Sequence, residues 1–346
     1  TSFDVLPWVG RCLYEQETAY DLRLSVVGSE MCIRNKLWVP AFMKNTLRTK
    51  ASSINRALDE IGDKWCLLII QEVFWGINTF TEMLSATGAS RGVLSDRLNW
   101  LQSVDCLRKN KSNPTRPTYH MTQKSIELYH NGLMAMNWER KYFSTPELDS
   151  VELSHNGCGK VFWPIMQCDC CNQSVHCEDI VFIPGPGAGK DQRVTKTRRR
   201  SSSIQRDGLG RALYRNLINL LGDRWTANLV ALAFHGLKRF DDFHKELPVA
   251  TNILSDRLKL LVNEGIFCQQ PYKSSPLRYE YHLTDKGRDL FPYFVTLLSW
   301  GNKWCQTGKG EPMLVKHSPC GGDLKAEVRC DQCGDKLIAT KVEFNL

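Results

Sequence analysis

A long internal repeat limits how this chain of 346 residues can fold. The tetrapeptide at 62–65 returns at 222–225 with one Lys-to-Arg change, an offset of 160 (222 − 62), and residues 94–98 return unchanged at 254–258. Two extra residues then enter, and an offset of 162 (282 − 120) holds from His120 through the last cysteine of the pattern. A register kept over about a hundred residues indicates a tandem duplication. One structural unit is therefore built twice, as copy one and copy two.

Length and composition favour a globular protein with several domains. A chain of 346 residues has room for two or more domains of about 100–200 residues. The longest apolar runs are too short for a bilayer core of about 30 Å, and no signal peptide opens the sequence. A cytoplasmic, nucleoid-associated protein without membrane contact is expected. The net charge of +8 favours a polyanionic partner only weakly, because scattered lysines also serve solubility.

Each copy has the pattern of a winged helix-turn-helix. Apolar spacing in copy one predicts helices over 54–61, 65–74, 79–84 and 91–103. Gly62 suits the end of the first helix, and Asp63 suits the N-cap of the second. A polar stretch around a proline-containing turn, 106–122, predicts a β-hairpin, the wing. Thr122, and Thr284 in copy two, then N-cap one long amphipathic helix.

The apolar and turn positions of copy one form a signature made of Ala57, Leu58, Ile61, Gly62, Lys64, Trp65, Gly76, Phe80, Leu94, Ser95, Arg97, Leu98, Thr122 and Lys124. With the closer version in copy two, it resembles the HxlR family of bacterial winged-helix regulators over roughly 54–143 and 214–305. The resemblance implies DNA binding by the fourth helix and wing, and dimerisation through the first and last helices. Members often carry a cysteine thirteen residues before the tryptophan. Ser52 and Ala212 stand there, so thiol sensing by that route is not expected.

The exposed face of each fourth helix is expected to enter the major groove of double-stranded DNA, while the wing touches backbone or minor groove. The expected contacts of copy one are Ser90, Arg91, Ser95, Arg97, Asn99, Lys109, Lys111 and Arg116. Those of copy two are Thr251, Asn252, Ser255, Arg257, Lys259, Lys273 and Arg278. Arg91 suits guanine and Asn252 suits adenine. A competing interpretation leaves Arg97 and Arg257 as solvated or paired side chains beside a neighbouring aspartate.

Cysteine and histidine spacing predicts metal binding. The fourteen cysteines of a cytosolic chain indicate ligands before disulfides. After each winged helix, His-x-x-Cys is followed, after nine intervening residues, by Cys-x-x-Cys. Four nitrogen and sulfur ligands per copy match a structural Zn²⁺ site, so two structural zinc ions per chain are expected. The predicted ligands are His155, Cys158, Cys168 and Cys171 in copy one, and His317, Cys320, Cys330 and Cys333 in copy two. Reduced thiols without metal stay an alternative, as do Cys170, His176 and Cys177 as ligands in copy one.

The predicted architecture is α+β, with two winged helix-turn-helix domains that are each followed by a small zinc-ribbon-like module. The domains are winged helices at 51–145 and 208–306, and zinc-ribbon-like modules at 152–183 and 312–346. Residues 184–207 are rich in glycine, proline, serine and arginine, which predicts a flexible basic linker, either a plain spacer or an arm along phosphates. Residues 21–34 resemble translated sequencing-adaptor DNA, so the segment 1–50 receives no assignment, and an artefactual or a genuine origin stays open.

Together these features predict a sequence-specific DNA-binding transcriptional regulator that reads two half-sites with one duplicated chain. The partnership is either an intramolecular pseudo-dimer or a homodimer. Two alternatives stay open: a protein-interaction or assembly module, and a metal- or redox-responsive regulator that uses the extra thiols. An enzyme is not expected, because the sequence has no phosphate-cradling loop, nucleophile elbow or repeated carboxylate pair.

Overall fold

A computed structural model describes residues 46–110, 112–113, 115–194 and 213–345. The N-terminal residues 1–45, residue Lys111 of the first wing and residues 195–207 of the predicted linker lie outside the described residues. Within the described ranges, every helix is too short or too polar to cross a membrane.

Copy one begins with a strand and four helices whose ends follow the sequence signals. They are β1 (Thr46–Lys50), α1 (Ser53–Ile61), α2 (Lys64–Phe74), α3 (Phe80–Thr87) and α4 (Arg91–Ser103). The Asp63 carboxylate accepts hydrogen bonds from the backbone N–H groups of Trp65 and Cys66, and Ser90 accepts one from Val93. Both side chains satisfy N–H groups that have no partner within the helix. The predicted starts of α2 and α4 are confirmed.

The wing of copy one is an antiparallel hairpin of β2 (Leu107–Asn110) and β3 (Thr118–Met121). The single long helix predicted after Thr122 was wrong, because the chain forms α5 (Gln123–Ile126) and then α6 (Tyr129–Phe143). The Leu128 N–H donates to the Ser125 carbonyl, three residues back, which closes the short turn and interrupts the α-helical ladder.

The remaining elements follow the same plan, with a cysteine-rich segment after each winged helix. Between the copies lie α7 (Pro146–Asp149), β4 (Glu152–His155), β5 (Lys160–Val161), β6 (Pro164–Cys168), β7 (Ile180–Pro184) and β8 (Lys190–Val194). Copy two contains α8 (Arg215–Leu221), α9 (Arg224–Phe234), α10 (Phe240–Glu246), α11 (Thr251–Asn263), β9 (Phe267–Ser274), β10 (Leu277–Leu283), α12 (Asp285–Arg288) and α13 (Phe291–Trp304). The chain continues with β11 (Met313–His317), β12 (Ala326–Cys330) and β13 (Val342–Asn345). The wing of β9 and β10 is longer than that of copy one.

The two cysteine-rich segments, 152–183 and 312–345, pair with each other rather than folding separately. Strand β6 runs antiparallel to β12, with Met166 opposite Val328, and these positions are equivalent in the repeat (328 − 166 = 162). Strand β4 pairs with β13, and β7 pairs with β11. An approximate twofold axis therefore passes between Met166 and Val328. The prediction of one self-contained module per copy was wrong in this respect.

Part of the predicted linker is paired backbone. Strand β8 runs antiparallel to β1, and the N–H groups of Gly185 and Gly187 donate to the carbonyls of Pro312 and Glu311. A Cβ atom on Gly185 would lie 2.3 Å from the Glu311 carbonyl oxygen, so only glycine permits this approach. The prediction of a flexible spacer was wrong for 184–194, because these glycines serve close packing of two chain segments.

The two winged helices pack against each other through their first and last helices. Helix α1 lies against α13, α8 lies against α6, and α6 contacts α13. Trp138 Nε1 donates to the Lys286 carbonyl at 2.9 Å, and the equivalent Trp300 Nε1 donates to the Lys124 carbonyl at 2.7 Å. One hydrophobic core spans both copies. The chain thus forms a dimer-like arrangement within itself.

Sequence divergence makes the two halves of this interface differ. In copy one, the Glu139 carboxylate accepts hydrogen bonds from the backbone N–H groups of Asn216 and Leu217 at the start of α8. The equivalent position in copy two is Gly301, where a Cβ atom would lie 2.4 Å from the Ser53 carbonyl oxygen. The Glu139 carboxylate therefore joins α6 to α8, whereas a close backbone contact at Gly301 joins α13 to α1.

Candidate nucleic-acid interface and metal sites

The fourth helix of each copy presents a polar face opposite three buried leucines. Helix α4 buries Leu94, Leu98 and Leu101, and α11 buries Leu254, Leu258 and Leu261. Most predicted contact residues lie on the outer faces and are exposed: Ser90, Arg91, Ser95, Asn99, Thr251, Asn252 and Lys259. Ser255 is half-buried. At the shared offset, Arg91 corresponds to Thr251 and Asn99 to Lys259, so the two faces differ chemically.

Arg97 is turned toward the protein. Its Nε and Nη2 atoms bind the two oxygens of Asp63 at 2.7 and 3.0 Å, and the two side chains are only 12% and 18% exposed. Because Asp63 also caps α2, this two-pronged contact fixes α4 against the start of α2. Arg257 repeats the contact more loosely, with one bond of 3.0 Å to Asp223 and side chains 31% and 35% exposed.

We expect Arg97→Ala to lower the free energy of unfolding by about 1–3 kcal/mol, because it leaves the half-buried Asp63 without its charged partner. Arg257→Ala is expected to cost less than about 1 kcal/mol, because the pair is more exposed to water. Denaturant titration of the metal-loaded full chain measures both. Equal losses for the two variants would contradict the positioning role of Arg97.

The wings carry basic side chains that are open to solvent. Lys109 and Arg116 are exposed in the first wing, and Lys273 and Arg278 are exposed in the second. Arg278 lies 3.4 Å from Asp241, a contact at the surface. The longer second hairpin therefore carries its two basic residues near a more extended tip.

One lysine in each copy, buried at Lys124 and half-buried at Lys286, joins the end of the fourth helix to the interface between the copies. Lys124 Nζ donates to the Val104 carbonyl at 2.9 Å and lies 5.4 Å from the centre of the Trp300 ring. Lys286 makes the equivalent contacts with Glu264 and Trp138. Sequence reasoning used these lysines only as family markers, although their recurrence at the 162 offset was the available signal for a shared structural role.

The eight predicted metal ligands form two groups, and each group draws on both copies. One group is His155, Cys158, Cys330 and Cys333, and the other is Cys168, Cys171, His317 and Cys320. Within each group, the ligand atoms lie within 4.8 Å of one another. The predicted grouping inside each copy was wrong. Antiparallel pairing of β6 and β12 sends their C-terminal ends in opposite directions, so each Cys-x-x-Cys reaches the His-x-x-Cys of the other copy.

The distances within both groups fit a tetrahedral metal ion. Sγ of Cys158 and Sγ of Cys333 lie 3.6 and 3.3 Å from Nδ1 of His155. Sγ of Cys171 and Sγ of Cys320 lie 3.4 and 3.5 Å from Nδ1 of His317. Metal–sulfur and metal–nitrogen bonds of about 2.3 and 2.0 Å at tetrahedral angles place sulfur and nitrogen about 3.5 Å apart. The donor atoms are therefore spaced for one ion per group.

A left-handed residue follows the second ligand of every pair, which turns the backbone N–H groups toward sulfur. These residues are Gly159, Asn172, Gly321 and Gly334, with φ of 68°, 58°, 68° and 77°. The Gln173 N–H donates to the sulfur of Cys171, as the Lys160 N–H does to that of Cys158. The sequence lacks glycine after Cys171, and sequence reasoning missed Asn172. Asparagine is among the residues that adopt this conformation most readily after glycine.

Two segments of the chain, 60–147 and 220–309, match the HxlR-like helix-turn-helix family. Mb3122 of Mycobacterium bovis, described as an uncharacterized helix-turn-helix-type transcriptional regulator, is 37% identical over 142 residues, which cover 41% of this chain and 87% of Mb3122. YodB of Bacillus subtilis, a helix-turn-helix-type transcriptional regulator, is 31% identical over 91 residues, covering 26% of this chain and 81% of YodB. The solved structure of reduced YodB aligns with a TM-score of 0.25 at 29% identity, covering 27% of this chain and 92% of that chain.

Proposed function

This chain belongs to the HxlR-like helix-turn-helix family and is a DNA-binding transcriptional regulator, and we propose that its two copies read the two halves of one operator within a single chain. The packing of α1 on α13 and of α6 on α8 supports the proposal, because it joins two recognition helices in one body. Helix-turn-helix dimers commonly read half-sites about 34 Å apart. On this proposal the protein acts at the nucleoid, in the cytoplasm.

The proposed contacts fall into two classes. Polar and basic side chains of α4, α11 and the two wing segments touch bases and phosphates: Ser90, Arg91, Ser95, Asn99, Lys109, Lys111, Arg116, Thr251, Asn252, Ser255, Lys259, Lys273 and Arg278. Arg97 and Arg257 position the recognition helices through Asp63 and Asp223. Since the exposed faces of the copies differ, the two half-sites differ as well, and the operator is not a palindrome.

Zinc is the proposed occupant of both metal sites. Three thiolates and one imidazole form a donor set that Zn²⁺ prefers, and four protein ligands leave no open position for catalysis. The ion supplies a fixed tetrahedral centre when it is bound. Because each site takes two ligands from each copy, each ion cross-links the two cysteine-rich segments.

Selection of bound sequences from random duplex DNA tests the proposal, with binding measured at two salt concentrations. Arg91→Ala is expected to weaken binding by about 1–3 kcal/mol and to relax base preference in one half-site only. Lys259→Ala is expected to weaken binding through the other half-site. The matched control is Lys309→Ala, which removes an exposed lysine outside the recognition helices and wings.

The control variant is expected to enrich the same sequences as the wild-type chain. Failure of the wild-type chain to enrich any sequence would overturn sequence-specific binding. Enrichment of a symmetric site, with equal effects of Arg91→Ala on both halves, would overturn the assignment of one copy to each half-site.

A further inference from the structure

A cavity of about 370 Å³ lies where the two copies meet one cysteine-rich segment. It is lined by α5 and α6 of copy one, α13 of copy two and the chain around β12 and residues 337–340, and it opens to solvent. Ile126, Val295, Val328, Leu337 and the ring of Trp300 form apolar walls. The volume falls within the range of small-molecule sites in proteins, about 300–1,000 Å³.

The equivalent place across the approximate twofold axis holds a larger side chain. There, Asn137 Nδ2 donates a hydrogen bond to the Pro164 carbonyl. The repeat maps Asn137 onto Ser299 and Pro164 onto Ala326, and both of these residues line the cavity. The shorter serine therefore leaves space where asparagine occupies the opposite side.

Two further differences between the two sides also leave more space at the cavity. Arg288 and Glu178 form an ion pair of 3.3 Å on the opposite side, whereas their equivalents at the cavity, Ile126 and Thr340, have no charge to pair. Met134, which is buried, corresponds to the smaller Thr296 of the cavity wall. The two sides of the molecule therefore differ, and the cavity side has smaller side chains and lacks the bridging ion pair.

Both charged side chains of the described cavity lining are already paired with each other. Glu127 accepts hydrogen bonds from Lys303 Nζ at 2.7 Å and Trp304 Nε1 at 2.9 Å. Burial pushes the pKa of Glu127 upward, but hydrogen bonds from Lys303, Gln123 and Trp304 hold that pKa below its usual range. A charged guest would have to displace this pair. An uncharged guest would lie against the apolar walls and reach the hydroxyl groups of Thr296, Ser299 or Thr340.

We propose that this cavity binds one small, uncharged and mainly apolar molecule that carries a hydrogen-bonding group. Its wall includes α5, and Lys124 of α5 holds the last turn of α4 through the Val104 carbonyl. The bound molecule therefore changes how copy one presents its recognition helix, a consequence that rests on the proposed function.

The neutral fluorescent compound N-phenyl-1-naphthylamine, titrated into the metal-loaded full chain, tests the cavity. We expect saturable binding of one molecule per chain. Ser299→Asn, which restores the side chain of the opposite side, is expected to weaken binding about tenfold or more, a change of about 1.4 kcal/mol or more. Thr296→Met is a second filling variant. Asn137→Ser makes the reverse exchange at the equivalent position and is expected to leave the affinity unchanged.

Absence of saturable binding by the wild-type chain would overturn the cavity assignment. An affinity equal to that of the wild-type chain in both filling variants would overturn it as well. Occupation of the cavity by another segment of this chain would give the first of these results. Operator affinity is measured in the same samples, and saturating compound is expected to change it in the wild-type chain but not in Ser299→Asn. Compound binding without any DNA binding would contradict only the proposed function, and DNA binding without compound binding would contradict only the cavity site.

Discussion

Replacing Cys158 and Cys168 together with serine is expected to reduce the bound zinc from two ions per chain to none. These cysteines belong to the same copy but to different metal groups, so each substitution removes one ligand from a different site. Structural zinc sites use all four ligands, and three remaining ligands hold the ion far more weakly. Metal analysis of the purified full chain measures the result.

The matched control combines Cys158→Ser with Cys333→Ser. These residues come from different copies but from one metal group, so one ion is expected to remain. Ligand grouping inside each copy predicts the reverse, with one ion left by the first double variant and none by the second. Cys170→Ser, which changes an exposed cysteine outside both groups, is expected to keep both ions.

The sequence predicts the eight candidate ligands that the structure gathers into two groups, but it did not predict how they are grouped. Spacing identifies His-x-x-Cys and Cys-x-x-Cys pairs, and each pair forms its own turn with the same local geometry in either grouping. Two equivalent pairs of each kind can be combined within a copy or across copies. The pairing of β6 with β12 around Met166 and Val328 decides between these arrangements. That pairing depends on contacts between residues far apart in the chain.

The winged helices were predicted well because their signals are local. The caps at Asp63 and Ser90 and the leucine spacing of α4 lie within a few residues of the features that they determine. The role of Arg97 was not local, since its partner Asp63 lies 34 residues earlier. The recurrence of this arginine as Arg257 indicated the same role in both copies. It did not show whether that role is a contact with DNA phosphate or an ion pair within the protein.

At the glycine-rich start of the linker, amino-acid composition alone does not predict the structure. Glycine is frequent in flexible spacers and equally suited to close approach of two backbones. The two uses can be distinguished only when the facing chain segment is known. At Gly185 and Gly187 that segment is the chain around Glu311. The same residue type therefore predicts opposite behaviour until the fold is known.

Trp300→Ala is expected to lower the free energy of unfolding of the whole chain by about 3–5 kcal/mol. The ring is 4% exposed and lies between the copies, so its removal leaves a cavity at their interface. Its Nε1 hydrogen bond to the Lys124 carbonyl, 2.7 Å long, is lost as well. Denaturant titration of the metal-loaded chain measures the change.

Two further variants test what the Trp300 side chain contributes. One separates the packing of its ring from its hydrogen bond, and the other compares it with an exposed tryptophan. Trp300→Phe keeps most of the apolar volume and is expected to cost less than the alanine variant. Trp163→Ala removes a tryptophan that is 42% exposed and is expected to cost less than about 1 kcal/mol.

If the copies form one cooperative unit, Trp300→Ala raises hydrogen exchange in α2 of copy one as well as in α9 of copy two. Faster exchange confined to copy two would mean that the halves unfold independently, and the interface would then not unite the two recognition helices.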